Sequence, residues 1–265
     1  MEKLFVSVIM PALNEEGNIV PAIQATLKAF RDLNIKGEVI VVNDGSTDDT
    51  EGLIQEMMAQ DSRVRILRHE RPEGIGASFW DGVQSARGNI VTMFSGDNEN
   101  IPYEALRYVD LFQQVDIVVP FVYNLGVRGK FREFLSSLFV TIINLSFRLN
   151  LNYTNGTVLY RKSILDDMHL QSKGFLYQAE ILVKMIRKGY LFAEVPYAIR
   201  KRDAGTSKAL SFRSFFNVVK SYFLLMLAIY GPGSESRSDG AVRDSATFCR
   251  WQGMMKRTKS RLKYK

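Results

Sequence analysis

The chain has 265 residues, 46% of them hydrophobic, which is enough for one large core or two small ones and excludes a mainly disordered polypeptide. Lysine and arginine number 35 against 28 aspartates and glutamates, a net charge of +7 that raises nucleic acid as a partner until the charge is located. One cysteine, Cys249, and two histidines exclude an internal disulfide and a tetrahedral Cys/His zinc site.

The opening MEKLFVSVIMPALNEE lacks a basic leader, an apolar core and a small-residue cleavage site. No signal peptide is expected there, and a reduced, cytoplasmic setting is. The first 125 residues then alternate in period. Short β-branched or aromatic runs at Val6–Met10, Val39–Val42, Val64–Leu67, Ile90–Phe94 and Ile117–Phe121 predict strands, and Ile19–Leu33 and Thr50–Gln60 predict amphipathic helices. Near-continuous apolar strands separated by helices predict a mostly parallel α/β sheet covered on both faces, with ligands at the C-terminal ends of its strands.

The polar segments fall at those ends. The first strand runs into Pro11, Ala12, Leu13, Asn14 and Glu15, with Asn18 placed to cap the next helix. The second runs into Asn43-Asp44-Gly45-Ser46, leaving the Asp44 carboxylate where it can accept hydrogen bonds from a base or ribose. Gly74-Ile75-Gly76 precedes a helix and would let backbone approach a phosphate or sugar, or form an ordinary turn. After the fourth strand comes Ser95-Gly96-Asp97-Asn98-Glu99, an acidic loop.

Beyond Tyr123 the pattern turns helical. Phe131–Leu149 puts Phe131, Phe134, Leu135, Leu138, Ile142, Leu145 and Leu149 on one face, and Tyr222–Tyr230 ends a second apolar helix that begins near Ser211. Neither reaches the ~20 apolar residues of a membrane span, so core packing and an interfacial position on a bilayer are both open. The charge lies late in the chain. Residues 195–230 hold six bases and one acid, and 231–265 hold nine bases and three acids, leaving a net-acidic body over 1–194. A basic stripe with interleaved aromatics on a folded module is absent, which argues against nucleic acid. The expected division is a body over 1–230, with a nucleotide-binding half (1–125) and an acceptor half (126–230), followed by a basic, flexible tail over 231–265.

VSVIMPALNEEGNI followed by VIVVNDGSTDDT resembles the family 2 glycosyltransferases of GT-A fold, and SGDNENIP extends the match. FLYQAEILVKMIRKGYLFAEVPYAIRKRDAGTSKAL is similar to the polyprenyl-phosphate sugar synthases of the dolichyl-phosphate mannose synthase type. The resemblance implies an inverting transfer of one sugar from a nucleotide-diphosphate sugar (GDP-mannose or UDP-hexose) to a polyprenyl phosphate at the cytoplasmic face of a membrane. It also implies Mg²⁺ or Mn²⁺ at an Asp-x-Asp motif. Here the second Asp is Asp97, Ser95 replaces the first, and Glu99 stands two positions on where the family has Gln, so Asp97 and Glu99 are the implied metal ligands. Pro11, Ala12, Leu13, Asn14, Glu15, Asp44, Gly74, Gly76, Ser95 and Gly96 fall to the donor. Arg202 and Lys208 match the positions that grip donor and acceptor phosphates, and the Tyr153–Thr157 segment lines the acceptor side.

Glu180 matches an acidic position of the acceptor motif. A hydroxyl acceptor would require it as a base, whereas an ionised phosphate would need little base catalysis. Two alternatives stay open: a hydroxyl acceptor on a glycan or small molecule, and a non-catalytic sugar-nucleotide binder, the latter raised by Ser95.

Overall fold

The computed structural model describes residues 4–124, 130–200, 212–231 and 241–263. Its strands are β1 (Phe5–Ala12), β2 (Lys36–Asp44), β3 (Val64–His69), β4 (Ile90–Met93), β5 (Ile117–Val122), β6 (Leu159–Arg161) and β7 (Phe192–Tyr197). They form one sheet in the order β3-β2-β1-β4-β6-β5-β7. Every ladder is parallel except the two made by β6, which runs antiparallel to both β4 and β5. This is the mostly parallel α/β sheet that the sequence pattern predicts, and the GT-A fold.

The helices are α1 (Ile19–Asp32), α2 (Thr50–Gln60), α3 (Ile75–Ser85), α4 (Pro102–Leu106), α5 (Lys130–Phe147), α6 (Tyr177–Arg187), α7 (Phe212–Tyr230) and α8 (Ala246–Lys263). Side chains alternate along a strand, so β1 feeds two cores at once. Val6, Val8 and Met10 pack with Ile23, Leu27 and Phe30 of α1, while Ile9 points to the other face and meets Phe79 and Val83 of α3 and Ile181 of α6. Burial on both faces explains why these strands read as continuous apolar runs rather than alternating ones.

A third cluster forms outside α6. Ala179 and Val183 of α6 meet Ile143 and Phe147 of α5 and Leu225 of α7. The face of α5 that the sequence groups together is not the one buried. Val140, Ile143 and Phe147 turn inward, while Phe134, Leu138, Ile142 and Leu145 face out, Leu145 at 77% exposure. The helix is apolar on two sides, and one periodicity count cannot separate them. Among the described residues no helix is long and apolar enough to cross a membrane.

The tail departs from expectation. Residues 241–263 are not a loose extension along their length: Ala241 and Val242 pack on the core, and Ser245 is fully buried and caps α8 through its hydroxyl and carbonyl. The cause is Asp116, buried at the start of β5. Its carboxylate accepts the Ala246 N–H at 2.7 Å, the Thr247 N–H at 3.0 Å and the Thr247 hydroxyl, and it pairs with Arg161 Nε at 3.0 Å. A carboxylate at a helix N-terminus also complements the helix dipole. Past Phe248 the helix leaves the body, and Cys249 to Met255 are all exposed.

Candidate active site

Every strand but β6 ends at the same sheet edge, and β6 begins there, so seven strand ends gather on it. The loops after β1 and β2 are bonded into one surface. Asn14 sits in the left-handed region at φ 56°; its N–H donates to Ser46 Oγ at 3.0 Å and its side-chain oxygen accepts the Thr47 N–H at 2.8 Å. The Glu15 N–H donates to Thr50 Oγ1 at 2.8 Å, and the Glu15 carboxylate accepts from Asn18 Nδ2 at 2.9 Å. Asn14 and Glu15 thereby build the platform, on which Pro11 and Leu13 are half-buried and Ala12 is buried. Asp48 belongs to the same unit. Burial pushes its carboxyl up, but the Thr50 hydroxyl and the Glu16 and Thr50 N–H groups outweigh this and hold it below the ordinary value.

Asp44 is buried and engaged. Its carboxylate accepts the N–H groups of Glu73 at 2.8 Å and Gly74 at 3.0 Å, and faces His69 Nδ1 at 2.7 Å. His69 Nε2 faces Asp81 of α3 at 3.1 Å. Asp44 therefore orders the loop that follows β3 as well as marking the end of β2. Sequence alone does not single out His69, although the criterion that singles out Asp44, a polar residue at the C-terminal end of a parallel strand, applies to it equally.

The glycine pair does serve a close approach, but to protein. A Cβ on Gly76 would lie 2.5 Å from the Ser172 carbonyl oxygen, and one on Gly74 (φ 103°) would lie 2.7 Å from that of Lys173. The Lys173 carbonyl accepts the N–H groups of Gly76 at 2.8 Å and of Ala77 at 3.4 Å. Of the two readings open for this turn, the structure bears on the approach of a phosphate or sugar: the Gly76 and Ala77 amides near the start of α3 are occupied by the Lys173 carbonyl, from the segment before α6.

Glu180 explains how that carbonyl is held. It is buried on α6, and its oxygens accept the N–H groups of Gln171 at 2.9 Å and Ser172 at 2.8 Å. Lys184, one turn on and equally buried, pairs with it at 3.0 Å and donates to the His169 carbonyl at 2.8 Å. Of the two roles open for Glu180, base for a hydroxyl acceptor or positioning group, this geometry favours the second, because the carboxylate is committed to two peptide groups and a buried ammonium.

The acidic loop after β4 lies at the centre of the edge. Gly96 donates to the Pro11 carbonyl at 3.1 Å, fixing the loop to the end of β1. The Ser95 N–H donates to Asn100 Oδ1 at 2.8 Å, while Asn100 Nδ2 reaches Thr157 Oγ1 at 3.0 Å and Tyr197 Oη at 2.7 Å. Asn100 thus joins the acidic loop, the Tyr153–Thr157 segment before β6 and the end of β7; nothing in its sequence context singles it out. Asn100 and Ile199 form an antiparallel bridge, and the Arg200 N–H donates to the Glu99 carbonyl at 3.0 Å. The basic segment therefore starts against the acidic loop. Arg202 and Lys208 themselves lie outside the described residues.

Asp97 and Glu99 sit two positions apart around Asn98, which is left-handed at φ 58°, and Asp97 Oδ1 accepts the Glu99 N–H at 3.2 Å. Among the described residues no group of three His, Cys, Asp or Glu side chains converges as a self-sufficient metal cage. Two hard carboxylates without a third suit Mg²⁺ or Mn²⁺ shared with a diphosphate, because such ions are commonly held by one or two protein carboxylates plus substrate oxygens.

A mostly parallel sheet with an acidic loop after β4, beside bonded loops from β1 and β2, defines a GT-A nucleotide-sugar type of fold. The family model for glycosyl transferase family 2 matches residues 7–168, more than half of the chain, and the chain belongs to that family. Undecaprenyl-phosphate mannosyltransferase of Micrococcus luteus is 26% identical over 216 residues, covering 76% of this chain and 85% of that protein. Undecaprenyl-phosphate 4-deoxy-4-formamido-L-arabinose transferase of Pseudomonas fluorescens is 30% identical over 167 residues, 62% of this chain but only 49% of the relative's length. Among solved structures, glucosyl-3-phosphoglycerate synthase from Mycobacterium tuberculosis with Mg²⁺ and UDP superposes with a TM-score of 0.63 at 20% identity, over 84% of this chain and 79% of that one. The same enzyme with Mn²⁺, UDP and glucosyl-3-phosphoglycerate gives 0.62 at 19%, over 85% and 79%.

Proposed function

We propose that this glycosyltransferase moves a single sugar, with inversion, from a nucleotide-diphosphate sugar (GDP-mannose or UDP-hexose) to a polyprenyl phosphate. The observation that carries the reading is the backbone pairing of Glu99–Asn100 with Ile199–Arg200, which starts a segment rich in bases beside a loop rich in acids. An acceptor phosphate oxygen attacks the anomeric carbon as the bond from that carbon to the donor diphosphate breaks, and the nucleoside diphosphate leaves. One displacement inverts the centre and needs no enzyme nucleophile. Arg202 and Lys208 are assigned to the two phosphate groups, whose repulsion they offset. Asp97 and Glu99 are assigned to Mg²⁺ or Mn²⁺, which when bound would offset charge on the leaving diphosphate. Pro11, Leu13, Glu15 and Asp44 are assigned to the nucleoside.

Two further features support a phosphate acceptor carried by a lipid. Glu180, the base that a hydroxyl acceptor would call for, is engaged elsewhere. Phe134, Leu138 and Leu145 of α5 and Phe216, Phe223 and Leu227 of α7 are exposed, and a cytoplasmic membrane surface is the proposed place for them. Purified protein with Mg²⁺ or Mn²⁺, a donor panel and a short polyprenyl phosphate should yield a glycosylated lipid phosphate by mass spectrometry. Transfer only to hydroxyl acceptors, or no transfer at all from any donor, would overturn the assignment.

A further inference from the structure

We infer that Glu180 and Lys184, on the acceptor-half helix α6, are positioning residues for the nucleotide site. The inference rests on the nucleotide-sugar reading and deepens it. One unbroken set of contacts joins α6 to Asp44. Glu180 fixes the Gln171 and Ser172 N–H groups, and Lys184 fixes the His169 carbonyl, so both ends of a four-residue stretch are pinned to α6. The next carbonyl, that of Lys173, caps Gly76 and Ala77 at the start of α3. That start is continuous with Glu73 and Gly74, whose N–H groups hold the Asp44 carboxylate, and His69 completes the ring from Asp44 back to Asp81 on α3.

Both ends of this set are built for it. The Glu180–Lys184 pair is buried, and a buried pair is held in place only where further hydrogen bonds satisfy it, as the three peptide groups do here. At the other end only glycine permits the approach, since a methyl group at position 76 would overlap the Ser172 carbonyl. The exposed Lys173–Glu73 ion pair across the same junction, at 3.2 Å, adds little by comparison. Asp44 is thereby oriented by residues more than a hundred positions later in the chain, and the nucleotide site is complete only when the acceptor half is docked.

The test is nucleotide affinity, measured for UDP and for GDP with Mg²⁺ by calorimetry, together with hydrogen exchange at the Gly76 and Ala77 amides. The double variant E180Q/K184M removes the pair without leaving a lone buried charge, and Gly76→Ala breaks the same contact from the opposite side. Val183→Ala, on the same helix but facing α5 and α7, loses packing without touching the contact and serves as the control. Exchange at 76–77 should quicken in both junction variants, and the better-bound nucleotide should lose at least tenfold in affinity, with less than a twofold change in the control. Wild-type affinity alongside quickened exchange would overturn the inference, as would an equal loss in Val183→Ala. A wild-type protein that binds neither nucleotide would instead sink the nucleotide-sugar reading, and this inference with it.

Discussion

Asp97 and Asn100 lie three positions apart, yet one is visible from sequence and the other is not. Asp97 belongs to an acidic pattern whose chemistry is local: carboxylates close together on a loop at a strand end. Asn100 matters through Thr157 and Tyr197, partners that only the folded chain brings to it. If the metal assignment holds, Asp97→Asn should cut sugar transfer about 100-fold or more, the ~3 kcal/mol expected when a transition-state charge partner is lost, while Tm stays near wild type. Kinetics across a Mg²⁺ titration, paired with a thermal melt, checks both halves. Away from the site, burial pushes the Glu38 carboxyl up, but Arg65, the Arg87 N–H and Ser7 outweigh it, and the net shift is below its ordinary value near 4.5. The stabilisation that follows is complete above that ordinary value and is lost as pH falls through the lower folded one. Denaturant midpoints should therefore separate wild type from Glu38→Gln most at neutral pH and converge in acid.

At the scale of elements, strands and the early helices were legible because burial on one or both faces leaves a period in the chain. Helix α2 runs over Thr50–Gln60, as the pattern predicts, and β1 to β5 differ from expectation only at their ends. Helix α5 was half legible. Its length follows from its apolar content, but which apolar stripe turns inward depends on Val183 and Leu225, distant in sequence. The two stripes should answer differently to substitution. Ile143→Ala, in the buried stripe, should cost about 2–5 kcal/mol of stability by denaturant titration. Leu145→Lys, on the exposed stripe, should fall within about 0.5 kcal/mol of wild type. The same lysine should reduce co-sedimentation with lipid vesicles if that face meets a bilayer, and unchanged binding would remove the face from the docking model.

For the molecule as a whole, the net charge of +7 resolves into an acidic body and a basic C-terminal third. The sequence located that charge but did not reveal that the last segment is attached, because the attachment is made by Asp116, an acid at a strand start with no local partner pattern. Asp116→Asn leaves the Arg161 guanidinium buried without its counter-charge, a loss of about 3–5 kcal/mol. Hydrogen exchange should quicken together at Leu191, Ala246 and Thr247, whose amides depend on this junction. Unchanged protection there would mean that α8 is held by something other than Asp116.

The Asp116 junction also bears on synthesis. Asp116 and Ala246 are 130 positions apart, so the carboxylate is made long before the amides it will cap. At about 5–20 residues per second a ribosome takes roughly 7–26 s to cover that stretch. Throughout that interval the start of β5, next to the edge strand β7, holds an acid whose N–H partners do not yet exist, beside an arginine made 45 positions later. Native structure at that junction is therefore reached only after Thr247 has been made, and a nascent chain halted before Ala246 lacks this helix cap.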